Sequence, residues 1–178
     1  MRGRLFTWLA ALQKSLKEQN KPLVKTIAAF WSLPEEPELQ PLLEQWVEEH
    51  NYEVILPVVK GKNLPLEFRA WTPEQEMTRG AYGVMEPTGP VVNNPDLMLV
   101  PTLGYSREGY RLGYGGGYYD RTIGQLRQSG HQFTTIGIGW ACGDLSLEIY
   151  SSHTPWQWHE HDQKLDLILT DKGWAKSG

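Results

Sequence analysis

Two spacings of apolar residues alternate along the chain. Leu5, Trp8, Leu9, Leu12 and Leu16 recur at helical intervals, with Gln13, Lys14 and Lys17 among them, which predicts an amphipathic surface helix. Residues 19–22, ending in Pro22, break that pattern, and the apolar run 23–31 has the length of a strand. Leu39, Leu42, Leu43, Trp46 and Val47 then fall at i, i+3, i+4, i+7 and i+8, the stripe of a second helix. Glu35, Glu36 and Glu38 are placed in its first turn, where acidic side chains favour the helix dipole. After a stop at Asn51, residues 53–59 form a continuous apolar run. Residues 60–63 are a turn and 64–71 a half-buried strand, so the pair reads as an antiparallel hairpin. Further strands are expected at 96–102, 133–140 and, last of all, 165–171. Between them the helical pattern of Ile123 and Leu126 stops at Gly130, a glycine in the C′ position. Residues 78–87 taken alone read as a loop punctuated by Gly and Pro, 89–95 as a linker, and 141–150 as a loop with a short helical turn. Strands alternating with helices predict an α/β fold of three layers, α/β/α, with a mostly parallel central sheet, one domain over 1–178 and the ligand at the carboxyl ends of the strands.

Composition narrows the class. With 40% hydrophobic and 21% charged residues in 178, and eight Trp, the chain is globular and long enough to bury a core. A net charge of −4 offers no field for nucleic acid. Basic residues precede an apolar stretch at the start, as in a signal peptide, but Gln13, Lys14 and Lys17 end it early, and no run approaches membrane-spanning length. The single Cys142 allows no intrachain disulfide. The expectation is a cytoplasmic protein, a monomer acting on small molecules, with neither nucleic acid nor membrane as partner.

The chemistry is concentrated in residues 109–121, GYRLGYGGGYYDR. Gly113, Gly115, Gly116 and Gly117 let backbone approach a ligand closely, and a helix pattern follows, so consecutive N–H groups at a helix N-terminus can cradle a phosphate. Arg111 and Arg121 add positive charge, and Asp120 is a hard oxygen ligand suited to the magnesium of a nucleotide. The loop lacks the Lys-Ser/Thr of a P-loop, and the residues alone leave a merely flexible turn open. Lys60 and Lys62 sit on a turn, where lysines are mostly solvated, although they are within reach of a phosphate or an acidic tail. His153, His159 and His161 invite a metal reading, which no cysteine partner or helical spacing supports.

The longer run PTLGYSREGYRLGYGGGYYDR resembles the signature of the 5-formyltetrahydrofolate cyclo-ligases, also called methenyltetrahydrofolate synthetases. The matching positions are Pro101, Tyr105, Gly109, Arg111, Leu112, Gly113, Gly115, Gly117, Tyr118, Tyr119 and Asp120. Tyr82, Gly83, Val84, Glu86 and Pro87 match a second stretch, and Asp162, Leu165, Asp166 and Thr170 a third. The resemblance implies ATP- and Mg²⁺-dependent cyclisation of 5-formyltetrahydrofolate to 5,10-methenyltetrahydrofolate, with ADP and phosphate released. It also implies residue roles. Arg111, Leu112, Gly113, Tyr114, Gly115, Gly116, Gly117, Tyr118 and Tyr119 would hold ATP. Trp31, Glu36, Glu86, Tyr118 and Tyr119 would hold the folate, Asp120 and Asp162 the magnesium, and Arg111, Tyr118 and Glu36 would serve catalysis.

The resemblance runs over roughly residues 20–172. Family members carry a further N-terminal helix with Lys and Arg for the ATP phosphates, for which Arg2, Arg4, Lys14 and Lys17 are poor substitutes. Tyr105-Ser106 stands where the family commonly has Phe-Asp, and Gly116 where some members have Lys. Three alternatives follow: a non-catalytic folate- or nucleotide-binding relative, a shortened start, and a phosphosugar enzyme using the same glycine loop.

Overall fold

The computed structural model describes residues 1–147 and 157–177. The first helical stripe becomes α1, Arg2–Glu18, which buries Leu5 and Leu9 completely. Asn20, with φ 53°, turns the chain out of it. Of the run 23–31 only Thr26–Ala28 pairs on both sides, as β1, with Ala29 N–H still donating to Ile55 O at 2.9 Å. The second stripe is α2, Gln40–Glu48, whose Leu42, Leu43 and Trp46 are buried. Glu35, Glu36 and Glu38 lie ahead of this helix and not in its first turn. Glu36 N–H closes a turn on Leu33 O at 3.0 Å, Leu39 N–H is taken by Ser32 Oγ at 3.1 Å, and the helix begins only at Gln40.

The hairpin forms as expected: β2, Glu53–Val58, pairs antiparallel with β3, Glu67–Trp71. Residues 78–87 are more ordered than a plain loop, because β4, Met77–Arg79, pairs antiparallel with β5, Met85–Pro87, through a tight turn at Tyr82. Next come β6, Leu97–Pro101, and a small antiparallel pair, β7, Gly104–Tyr105, and β8, Arg111–Leu112. Two-residue strands leave no periodic trace, so neither was expected. α3, Tyr118–Gln128, ends with Gly130 at φ 80°, and β9 is Thr134–Gly139. β10, Leu167–Thr170, is not the last strand, for Gly173 turns the chain back into β11, Trp174–Lys176. The final part of the predicted 141–150 loop lies outside the described residues.

These strands form one seven-stranded sheet in the order β11-β10-β9-β6-β1-β2-β3. The five central strands are parallel, and β11 and β3 close the edges antiparallel. Alternation along each strand divides the core. Ile27, Ala29, Leu97 and Leu99 pack with the buried side chains of α1 and α2, whereas Ala28, Met98 and Val100 pack with Ile123 of α3. The layers are therefore helix, sheet and helix, and each such Leu or Ile contributes about 1.5–3 kcal/mol. Beyond β3, residues 90–92 run along its outer side, Ala70 N–H donating to Pro90 O and Val92 N–H to Phe68 O, both at 2.9 Å. The chain reverses its order across the sheet between β1 and β6, so a crevice opens beyond their carboxyl ends.

Candidate active site

One end of that crevice is built by the glycine loop. The β7–β8 pair sets Tyr105 opposite Arg111, residues 113–117 follow, and α3 begins with Gly117 as its N-cap. Gly115 and Gly117 hold φ at +84° and +66°, a region that costs other residues strain. Gly113 serves by absence: a Cβ there would lie 2.4 Å from Arg111 Nη1. That space lets the Arg111 side chain, 6% exposed, fold back and donate from Nη2 to Asp120 Oδ2 at 3.1 Å, with the guanidinium 5.6 Å from the centre of the Tyr119 ring. Arg111 Nε and the Tyr119 hydroxyl are both buried without a hydrogen-bond partner. Arg121 braces the loop, donating to Gly116 O with its guanidinium 5.2 Å from the Tyr118 ring centre. Part of its hydrogen-bonding capacity is thus turned on the loop's own carbonyl.

Asp120 Oδ1 accepts the Gln163 N–H at 2.9 Å, which draws the segment after Asp162 onto the first turn of α3. Asp162 Oδ2 in turn accepts the His159 N–H at 2.8 Å. The two carboxylates, far apart in sequence, thus border the same space. Among the described residues no three His, Cys, Asp or Glu are grouped to hold a metal by themselves. His161 is exposed beside Glu160, and His153 lies outside the described residues, so the imidazole metal reading gains nothing.

The opposite end is aromatic and acidic. Trp31, just beyond β1, meets Trp71 edge-on at 6.0 Å. Glu36 Oε2 accepts the Leu33 N–H at 2.9 Å, and Oε1 accepts the Tyr114 hydroxyl at 3.1 Å. Burial raises the Glu36 pKa, the two hydrogen bonds oppose that rise, and neighbouring Glu35 adds to it. Glu86 Oε1 accepts the Val59 N–H at 3.0 Å in a space that exists because residue 80 is glycine. Above it Tyr82, at φ 61°, brings its hydroxyl within 3.0 Å of that of Tyr118. Burial also pushes the Tyr119 hydroxyl far up, out of reach of ionisation at neutral pH.

Both ends open into one cavity of about 910 Å³. Trp31, Glu36, Glu86, Arg111, Leu112, Gly113, Tyr114, Gly115, Gly116, Gly117, Tyr118, Tyr119, Asp120 and Asp162 all line it. Pro57, Val59, Leu66, Ala81 and Gln157 line it too and were not singled out from the sequence, and His159, noted there only for its imidazole, joins them. Val59 and Leu66 look like ordinary hairpin residues, and only the pairing of β2 with β3 places them here. Lys60 instead lies 3.9 Å from Glu67.

The model of the 5-formyltetrahydrofolate cyclo-ligase family matches residues 9–171. The chain belongs to this family. A 5-formyltetrahydrofolate cyclo-ligase of Haemophilus influenzae is 28% identical over 151 residues, covering 75% of this chain and 79% of that protein. The Escherichia coli cyclo-ligase is 31% identical over 126 residues, covering 67% and 66%. Among solved structures, the 5,10-methenyltetrahydrofolate synthetase of Aquifex aeolicus has a TM-score of 0.64 at 30% identity, over 97% of this chain and 81% of the other. A Mycoplasma pneumoniae synthetase, TM-score 0.60 at 23% identity over 90% and 80%, shares the fold. The glycine loop, the hairpin bearing Glu86 and the segment bearing Asp162 all fall within the matched residues.

Proposed function

We propose that this cyclo-ligase closes 5-formyltetrahydrofolate to 5,10-methenyltetrahydrofolate with MgATP, in the cavity between the glycine loop and Glu36. The observation that carries the reading is the joining, in one space, of a glycine loop at a helix N-terminus, beside a buried unpartnered Arg111 Nε, with an aromatic end that holds a half-buried carboxylate. Nucleotide phosphates belong at the loop and the α3 N-terminus, where backbone N–H groups and Arg111 meet negative charge. The pterin belongs against Trp31, with Glu36 accepting one of its N–H groups.

The chemical need is clear, since an amide oxygen is a poor leaving group. The formyl oxygen attacks the γ-phosphorus, the bond to the β–γ bridging oxygen breaks, and ADP departs. The neighbouring bridge nitrogen then adds to the activated carbon and loses its proton. The C–O bond breaks, and phosphate leaves with the former formyl oxygen. Arg111 stabilises charge on the transferred group, while Tyr118 and Tyr119 stand at the boundary between nucleotide and folate and hold the two in line. Asp120 and Asp162 fit magnesium as a two-carboxylate site whose remaining ligands come from phosphates and water. When bound, the ion would neutralise the charge that builds up between the β- and γ-phosphates.

A non-catalytic folate- or nucleotide-binding relative is the competing reading. The test is the near-ultraviolet absorbance of methenyltetrahydrofolate on mixing the protein with 5-formyltetrahydrofolate and MgATP. A rise that requires both ATP and Mg²⁺ and is lost in Asp120→Asn is the expected result. Folate binding by calorimetry with no rise would establish the binding-protein reading instead. Cytoplasmic location and a monomeric state are further parts of this proposal, tested by fractionation and by sedimentation. Among the described residues no helix is long and apolar enough to cross a membrane.

A further inference from the structure

Tyr114 is the one feature of the glycine loop that reaches across the cavity. It sits between Gly113 and Gly115, it is 56% exposed, and a side chain at Gly115 would meet nothing within 4 Å, so packing does little to hold this tip. Its hydroxyl nevertheless donates to Glu36 Oε1 at 3.1 Å, with Glu35 Oε1 at 3.4 Å as a second acceptor. Glu35 is fixed in turn, because its carbonyl accepts Trp140 Nε1–H at 2.7 Å. With Leu33 N–H on Oε2, each Glu36 oxygen already accepts one donor, and a folate N–H that approaches Oε1 from the cavity meets the Tyr114 hydroxyl standing on it.

We propose that Tyr114 is a positioning residue that couples the two substrates: it caps Glu36 while the glycine loop is empty and releases it when phosphates draw the loop's backbone inward. The inference rests on the assignment of the loop to nucleotide and of Glu36 to folate. Its consequence is positive coupling, in which nucleotide tightens folate binding and, by linkage, folate tightens nucleotide binding by the same factor. A loop that carries only glycine beside this tyrosine has the conformational freedom to make that exchange.

The experiment is calorimetry of 5-formyltetrahydrofolate binding with and without a non-hydrolysable MgATP analogue, in wild type, Tyr114→Phe, Glu36→Gln and the double variant. Wild type should show folate affinity raised about five-fold or more by the analogue. Tyr114→Phe keeps the ring and removes the hydroxyl, so its affinity without analogue should rise and its coupling should fall to within two-fold of unity. In the Glu36→Gln background the same substitution should change the coupling no further. The pH profile gives a second reading. The groups facing Glu36 are Glu35, Tyr114 and Tyr119, and loss of the Tyr114 donor removes an interaction that favours the carboxylate. The acid limb of folate binding should therefore move to higher pH in Tyr114→Phe. Coupling in Tyr114→Phe equal to wild type, or no coupling in wild type, overturns the proposal while leaving the substrate assignment intact. Failure of wild type to bind 5-formyltetrahydrofolate at all overturns both.

Discussion

At one end of the cavity Asp120 meets a guanidinium and a backbone N–H, while at the other Glu36 meets only neutral donors, the Leu33 N–H and the Tyr114 hydroxyl. Both carboxylates are sheltered, but only the first has a cation to offset desolvation. Glu36 is left with a raised pKa. A shared cavity thus carries a polar end whose carboxylate is paired with a cation and an aromatic end whose carboxyl, with its pKa raised, responds to pH.

Breaking the paired end should have the largest effect. Arg111→Ala leaves Asp120 without its cation and removes the charge that faces the phosphates. We expect a stability loss of about 3 kcal/mol and a fall in kcat/KM of about 10²- to 10³-fold, read by denaturant titration and by product absorbance. Arg111→Lys should recover little of this, because a single ammonium cannot both reach Asp120 and reproduce the planar fork. Equal activity in Arg111→Lys and wild type would remove the reason for separating the two ends.

The unpaired end gives a smaller effect with a pH signature. Glu36→Gln should weaken folate binding by about 10-fold, an amount typical of one hydrogen bond to a charged group. It should also abolish the loss of affinity as wild type is acidified through the raised Glu36 pKa. Stability should respond in the opposite sense. A carboxyl whose folded pKa is raised contributes most below its unfolded pKa and loses that contribution as pH rises through the folded value. The melting temperature of wild type relative to Glu36→Gln should accordingly fall as pH rises across that window. A difference that does not vary with pH would contradict the sheltered, unpaired state of this group.

A third change tests the joint between the ends. Thr122 Oγ1 donates to Tyr118 O at 2.7 Å and accepts the Leu66 N–H at 2.9 Å, tying the first turn of α3 to a residue on the cavity wall. Thr122→Val keeps the shape and orphans that N–H, for an expected loss of about 1–3 kcal/mol. The smallest effect belongs to Tyr82→Phe. Its hydroxyl contact with Tyr118 is exposed, and stability should change by no more than about 0.5 kcal/mol. A larger loss would mean that the β4–β5 hairpin is held at its tip and not at Glu86.

Much of this architecture is written in spacing that a reader can follow. The helical stripes of α1 and α2 and the apolar runs of β2, β6 and β9 carry enough residues to show their period, and the parallel sheet follows from their alternation. What escaped is short or set by tertiary contact. β7 and β8 have two residues each, and β11 follows a turn at Gly173 that looked like the end of the fold. The three glutamates before α2 had a helical composition, but the turn closed by Glu36 on Leu33 overrode it. The glycine loop was legible because its residue types are costly anywhere else. The partners of its side chains were not, since nothing in the spacing says that Tyr114 meets Glu36 or that Gln163 meets Asp120.

The two margins of the sheet bear on how the molecule behaves in a crowded solution. Strand edges recruit other strands, and long bare ones seed aggregation. Here the β3 margin is overlaid by residues 90–92, with a proline at the first of them. The β11 margin is only three residues long and ends in Lys176, whose ammonium is turned onto the Asp166 carbonyl. A protein that must keep five parallel strands in register, and brings them together from across the sequence, thereby offers little template for a stranger to extend.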